Sequence, residues 1–260
     1  MPIDRLRPFL LCLCLAAAAP GRAADTVVLY GDADYPPYSY VDHGRFTGIY
    51  VDLIKRAADT MGPQFNVQLQ PLPWKRGLAD MESGRAFGLF PPGQKKERPY
   101  ISVYSLPMYR ETVVLFCNDT IMKSPRAAFP TDFTALTIGV NAGFLLSGRL
   151  IDAANKGLLR LAPASGNEAN LKKLALGRID CYASDRGAAL YSLKRLHAAG
   201  ELGPFMLREA VELSGENTYI GYSAANNPPY KAAFIARMNA AILALHKSGA
   251  AARIEKSYLR

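Results

Sequence analysis

Residues 26–30 (TVVLY) run straight into residues 31–40 (GDADYPPYSY), and the fold is read outward from this junction. A short β-type run breaks into a loop of polar, aromatic and Gly/Pro residues. The same transition recurs at Phe87–Phe90 into PPGQKKER, at Leu136–Val140 into NAGFLLSG, and at Ile179–Ala183 into SDRG. In open α/β sheets, ligands sit beyond the carboxyl ends of the strands, so these four exits are where a site is expected.

Helical patterns alternate with the strands. Asp52 to Met61 places Leu53, Ile54, Ala57, Ala58 and Met61 on one face and stops at Gly62-Pro63. Ser165-x-x-Glu168 reads as a capping box opening a helix that ends at Gly177. A third helix begins near Asp185 and runs toward Gly200. A fourth, from Tyr230, carries Phe234, Met238, Ile242 and Leu245 and halts at Gly249. Alternating strands and helices predict a mostly parallel α/β sheet with both faces covered.

The first 23 residues have the form of an export signal: Arg5 and Arg7, an apolar run from Phe9 to Ala19, then small residues flanking Arg22. Cleavage is expected after Ala23, giving a soluble periplasmic protein. The apolar run is too short to span a bilayer. Cys12 and Cys14 each follow Leu rather than a small residue, which argues against a lipid anchor. Losing three Arg and one Asp takes the formal charge from +9 to +7. Export and the lack of a long Lys/Arg run exclude nucleic acid as the natural partner. Cys117 and Cys181 remain, both in β-type runs; they pair if their strands are neighbours, and otherwise stay as buried thiols.

Two extended runs, Arg110–Asp119 (RETVVLFCND) and Ser214–Ser223 (SGENTYIGYS), look like crossings between two lobes. The division then assigns residues 24–112 plus 219–260 to lobe 1 and 113–218 to lobe 2. Two strand exits fall in each lobe, and hinges are expected near Thr112–Val114 and Thr218–Gly221.

The order and spacing of DADYPPYSY, GRFTGIYVDLIKRAADTMG, PLPWKRGLADMESGR, KKERPYISVYSLPMY, LTIGVNAG, GNEANLKKLALGRIDCYASDRGAAL and FIARMNAAILALHKSGAAARIEKSY cover nearly all the chain after the leader. Together they resemble the periplasmic solute-binding proteins of the amino-acid type, family 3, which serve ATP-driven importers. The resemblance implies a two-lobed periplasmic-binding-protein-like fold closing on a small-molecule ligand by a hinge. It also implies an inner-membrane ABC permease or a sensor protein as partner, a monomer, and no cofactor or metal.

By the same resemblance, Arg98 holds a ligand carboxylate, for which a guanidinium is suited by its two parallel charged hydrogen bonds. A surface Arg beside Glu97 is the plain alternative, and Lys95 and Lys96 read as solvated. Asp185 matches the position receiving a ligand ammonium, but it is also a natural helix N-cap, and Arg186 is placed to pair with it. Tyr35 matches an aromatic that stacks on the ligand, in a loop stiffened by Pro36-Pro37. Tyr38 has the alternative of packing inward. Trp74, the single tryptophan, is either a pocket wall or core.

The chain departs from the pattern at Phe90-Pro91-Pro92-Gly93, where two prolines cannot donate N–H bonds, and at Gly143-Phe144-Leu145, where a hydroxyl-bearing cradle is usual. The expected ligand is an amino acid or related zwitterion. Alternatives are a sensory binding protein, or a dehydratase-like enzyme using Glu97 or Asp185 as an acid. Against an enzyme, His43, His197 and His246 are isolated and no Gly-x-Ser-x-Gly elbow occurs.

Overall fold

The computed structural model describes residues 24–142 and 147–259. The expected leader, residues 1–23, and the expected site residues Gly143 and Phe144 lie outside the described residues. In chain order the N-terminal strands are β1 (Asp25–Asp32), β2 (Asp34–Tyr35), β3 (Ser39–Asp42), β4 (Arg45–Thr47), β5 (Phe65–Leu72), β6 (Gly88–Phe90) and β7 (Ile101–Tyr104). They are followed by β8 (Tyr109–Cys117), β9 (Thr137–Asn141), β10 (Arg160–Ala164), β11 (Cys181–Asp185), β12 (Arg208–Thr218) and β13 (Gly221–Ser223). The helices are α1 (Ile49–Ala58), α2 (Trp74–Glu82), α3 (Gly148–Asn155), α4 (Gly166–Ala175), α5 (Arg186–Ala198), α6 (Lys231–Lys247) and α7 (Ala250–Leu259).

Two five-stranded sheets result, ordered β5-β1-β6-β13-β7 and β10-β9-β11-β8-β12, with a small β2-β3-β4 sheet beside the first. Each large sheet is mixed. Its first three strands are parallel, as the alternation of strand and helix predicts, and the last two pairings are antiparallel. Val27 and Leu29 of β1 point into a core shared with Leu53, Ile54 and Ala57 of α1 and Phe234, Met238 and Ile242 of α6. The second sheet has a core on each face, one around Leu115 and Ile138 and the other around Leu171 and Tyr182. Burial of these faces supplies the main driving force for both sheets.

The chain passes between the sheets at residues 105–108 and 219–220. These two strands of chain are tied together: Ser105 N–H donates to Ile220 O at 2.9 Å and Ile220 N–H to Ser105 Oγ at 2.9 Å. Thr112–Val114, expected at a crossing, lies inside β8, because β12 pairs with β8 as far as Tyr109 opposite Thr218. Cys117 and Cys181 face each other across β8 and β11 and form a disulfide.

Helix boundaries differ from the periodicity in two instructive places. α1 starts at Ile49 rather than Asp52, because Ile49, Tyr50 and Val51 are all buried and extend the apolar face backwards. Gly48 sets that start: its φ of 124° suits glycine, and a Cβ there would meet Tyr38 O at 2.4 Å. Ser165 precedes α4, but its side chain makes no capping bond, so the expected capping box is not formed. α7 reaches across the molecule. Tyr258 Oη donates to Asp52 Oδ2 on α1 at 2.6 Å, and Lys194 Nζ on α5 donates to Ser257 O at 3.3 Å.

Candidate functional site

The exits of the first sheet and the β8–β12 ribbon of the second enclose a cleft of about 230 Å³. Asp32 ends β1, Tyr35 lies on β2, Trp74 opens α2, and Pro91, Gly93, Lys95 and Arg98 come from the loop after β6. Glu111 of β8 and Glu216 and Thr218 of β12 form the facing wall. Two cations and three carboxylates therefore share one small space with two aromatic walls.

Arg98 stands over the Trp74 ring at 5.6 Å from its centroid and donates from Nη1 to Gly93 O at 3.1 Å. The indole face and the carbonyl fix the guanidinium's orientation while leaving other N–H groups free of a protein carboxylate. Lys95, read from sequence as solvated, is exposed but lines the same cleft.

Glu111 is held from two sides. Its Oε2 accepts from Tyr35 Oη at 2.6 Å, and its Oε1 accepts from Tyr50 Oη. Tyr50 in turn accepts from Thr218 Oγ1 at 3.1 Å. Burial, then the charge of Asp185, raises the Glu111 carboxyl from 4.5 to about 7. Burial also raises Asp32 above its ordinary value.

Asp185 ends β11 and is not among the residues lining the cleft. Its Oδ1 accepts from Ala188 N–H at 2.8 Å, the N-capping bond of α5, and from Tyr38 Oη at 2.6 Å. Burial raises its carboxyl as well. Arg186 turns away to a two-pronged pairing with Glu209, at 2.8 and 2.7 Å. Tyr38 is 0% exposed and stacks on Tyr50, with ring centroids 5.1 Å apart. Phe90 is likewise buried, packed on Phe46 and against Gly31.

Of the described residues expected at the site, Tyr35, Trp74 and Arg98 thus meet in the cleft. Tyr38 and Phe90 belong to the first core, and Asp185 sits at the helix N-terminus against Tyr38. Sequence reasoning missed Asp32, Lys95, Glu111, Glu216 and Thr218. Asp32 stands in a strand exit already singled out, and Glu111 and Glu216 lie on the runs marked as crossings. No group of three or more His, Cys, Asp or Glu fit for a metal occurs among the described residues, and none of their helices is long and apolar enough to cross a membrane.

Two mixed sheets flanked by helices, between which the chain passes twice, with a polar cleft where the first sheet's exits meet the β8–β12 ribbon, define a two-lobed α/β binding architecture. The chain belongs to the bacterial extracellular solute-binding proteins, family 3, whose model matches residues 27–260. No curated protein matches it. Among solved structures, the second substrate-binding domain of Lactococcus lactis GlnP in its open conformation is similar, with a TM-score of 0.73 and 18% identity over 90% of this chain and 95% of that one. The second substrate-binding domain of a putative amino acid ABC transporter from Streptococcus pneumoniae gives 0.71 and 20%, over 90% and 100% of the two chains. The unliganded, open L-cystine solute receptor of Neisseria gonorrhoeae gives 0.71 and 19%, over 90% and 92%. At these identities the likeness establishes the fold.

Proposed function

We propose that this protein is a non-catalytic periplasmic binding protein that captures an amino acid or related zwitterion by hinge closure and delivers it to an ABC importer. The observation carrying this reading is the cleft itself, which is amino-acid-sized and is lined by Arg98, Lys95 and Asp32 from the first sheet's exits and by Glu111 and Glu216 from the β8–β12 ribbon. A ligand with one anionic and one cationic end satisfies cations and carboxylates at once. The relatives described as an amino acid transporter domain and an L-cystine receptor support the same class.

Arg98 binds the ligand carboxylate, Tyr35 and Trp74 pack against the ligand, and the hinge is the pair of crossings at 105–108 and 219–220. A ligand touching the loop after β6 and the β8–β12 wall binds the closed form better than the open one and shifts the population by that difference.

The test is a thermal-shift screen of protein refolded to strip carried-over ligand, against amino acids, opine-like acids, polyamines and small carboxylates. Zwitterionic amino acids should raise the melting temperature. Arg98→Ala should weaken binding by about 100-fold, from the loss of two charged hydrogen bonds at about 1.5 kcal/mol or more each. Shifts from amines or simple acids alone refute the zwitterion. Chemical change in recovered ligand refutes the non-catalytic reading in favour of an enzyme on the same fold.

A further inference from the structure

A zwitterion anchored at Arg98 needs a partner for its cationic end. Asp185, the position the family resemblance assigns to that end, does not line the cleft. Its Oδ1 takes one bond from the α5 backbone and one from Tyr38, while its Oδ2 is buried without a hydrogen-bond partner among the described residues. The Tyr38 hydroxyl is seated tightly: a Cβ on Gly187 would lie 2.5 Å from it. A ligand ammonium reaching Asp185 by this route must lift a fully buried tyrosine out of a stack with Tyr50.

Glu111 is placed differently. It lines the cleft that also contains Arg98. Each carboxylate oxygen accepts one phenol, from Tyr35 and from Tyr50. An ionised carboxylate has about four acceptor sites, so roughly two remain for ligand N–H groups. The two phenols come from β2 and α1, which fixes the carboxylate's orientation before any ligand arrives. Resting on the function proposed above, we propose that Glu111, positioned by Tyr35 and Tyr50, receives the ligand's ammonium or guanidinium, and that Asp185 acts with Tyr38 as a contact between the lobes.

The charge environment gives this assignment a signature. The groups facing Glu111 are Tyr35, Tyr38, Tyr50 and Tyr109, which are neutral, the acids Asp185 and Glu216, and, across the cleft, Asp32, Lys95 and Arg98. With burial and two acids against it, the carboxyl is held near 7. A bound cation offsets both effects and expels the proton. Binding at pH 7 should then release about half a proton, and affinity should fall roughly tenfold from pH 8 to pH 6.

The experiment is calorimetric titration of the purified protein with L-lysine, L-norleucine and L-glutamate, in phosphate and in Tris, at pH 6, 7 and 8. At least one probe should bind with buffer-dependent heat reporting proton release. Glu111→Gln should lose ten- to a hundredfold in affinity together with the proton release, whereas Asp185→Asn should stay within about threefold. Melting curves establish that each variant folds. If Glu111→Gln does not fold, a proton release in Asp185→Asn whose pH midpoint moves down, as loss of the Asp185 charge requires, supports the assignment, and an unmoved midpoint overturns it. Unchanged affinity in Glu111→Gln, or pH-independent binding by the unaltered protein, also overturns it, while the function stands if Arg98→Ala still weakens binding about 100-fold. Failure of all three probes to bind overturns the amino-acid reading and this inference with it.

Discussion

Tyr38→Phe removes one oxygen atom and little else, which makes it the cleanest probe of how the two lobes hold together. The ring is 0% exposed and touches Tyr35, Tyr50 and Tyr109 at centroid distances of 5.1, 5.1 and 5.6 Å, and all three contacts survive in phenylalanine. What is lost is the 2.6 Å hydrogen bond to Asp185 Oδ1. A hydrogen bond to a charged group is worth about 1.5–3 kcal/mol. The helix N–H of Ala188 remains at 2.8 Å on Oδ1, while Asp185 Oδ2 is buried without a hydrogen-bond partner among the described residues in either form. Its carboxyl is already raised by burial, and losing the Tyr38 bond, which lowers it, pushes it up further. Protonation therefore caps the cost. On the hinge proposed above, a bond joining the β2–β3 connection to the second sheet holds only the closed form, and about 1.5–3 kcal/mol then corresponds to roughly a 10- to 150-fold shift toward the open one. Small-angle scattering of the unliganded protein should report a larger radius of gyration in the variant, and urea unfolding a lower midpoint. An unchanged radius together with an unfolding free energy within about 0.3 kcal/mol of the parent would show that this contact does not hold the lobes, and the reasoning would fail.

Replacing Cys117 and Cys181 by Ala opens a 64-residue loop in the unfolded chain, a loss of about 4 kcal/mol and a fall in melting temperature of roughly 10 °C; a fall under about 3 °C contradicts the loop-entropy account. Trp74 is the single tryptophan of the sequence and lines the cleft, so ligand binding should change intrinsic fluorescence, and the change should vanish in Trp74→Phe. A calorimetrically proven ligand that leaves the emission unaltered places Trp74 away from it. Glu111→Gln should stabilise the protein at pH 8. The carboxyl is raised from 4.5 to about 7 in the folded state, so its contribution to stability is greatest below pH 4.5, declines as pH rises toward 7, and costs about 3 kcal/mol above that. Equal gains in urea midpoint at pH 5 and pH 8 contradict this sign.

The strand exits were legible because each strand is a short β-branched or aromatic run ended by loop chemistry, a local signal that tertiary packing then reinforces. Tyr35, Trp74 and Arg98 reach the cleft because each sits at or just beyond such an exit. The carboxylate arrangement was not legible. Glu111 acquires its character from Tyr35, 76 positions away, and Tyr50, 61 positions away. An extended run fixes only which residues alternate between its faces, not what stands opposite them. Asp185 shows the same limit: its capping bond is local and was foreseen, while its bond to Tyr38 spans 147 positions and was not. The β8–β11 register that brings Cys117 opposite Cys181 is likewise a long-range result. Among the helices, α2 carries Gly77 in mid-helix, packed on Leu89, and α7 has no fully buried residue.

The electrostatics of the cleft tie stability to binding through one quantity. Three carboxylates crowd the space near Arg98 and Lys95, and burial raises two of them, Asp32 and Glu111. In the empty protein their ionised forms are under-compensated, which lowers the stability of the fold at neutral pH. A cation entering the cleft relieves that same repulsion and desolvation, so the deficit reappears as binding free energy selective for ligands that bring positive charge. An anion such as a simple carboxylic acid can satisfy Arg98 but leaves the Glu111 wall uncompensated, and a simple amine does the reverse. Under the proposed function, discrimination for zwitterions rests on having both signs of charge in one cleft rather than on a close steric fit. On this account, substitutions that make the empty protein more stable by neutralising Glu111 should also make it a poorer and less selective receptor.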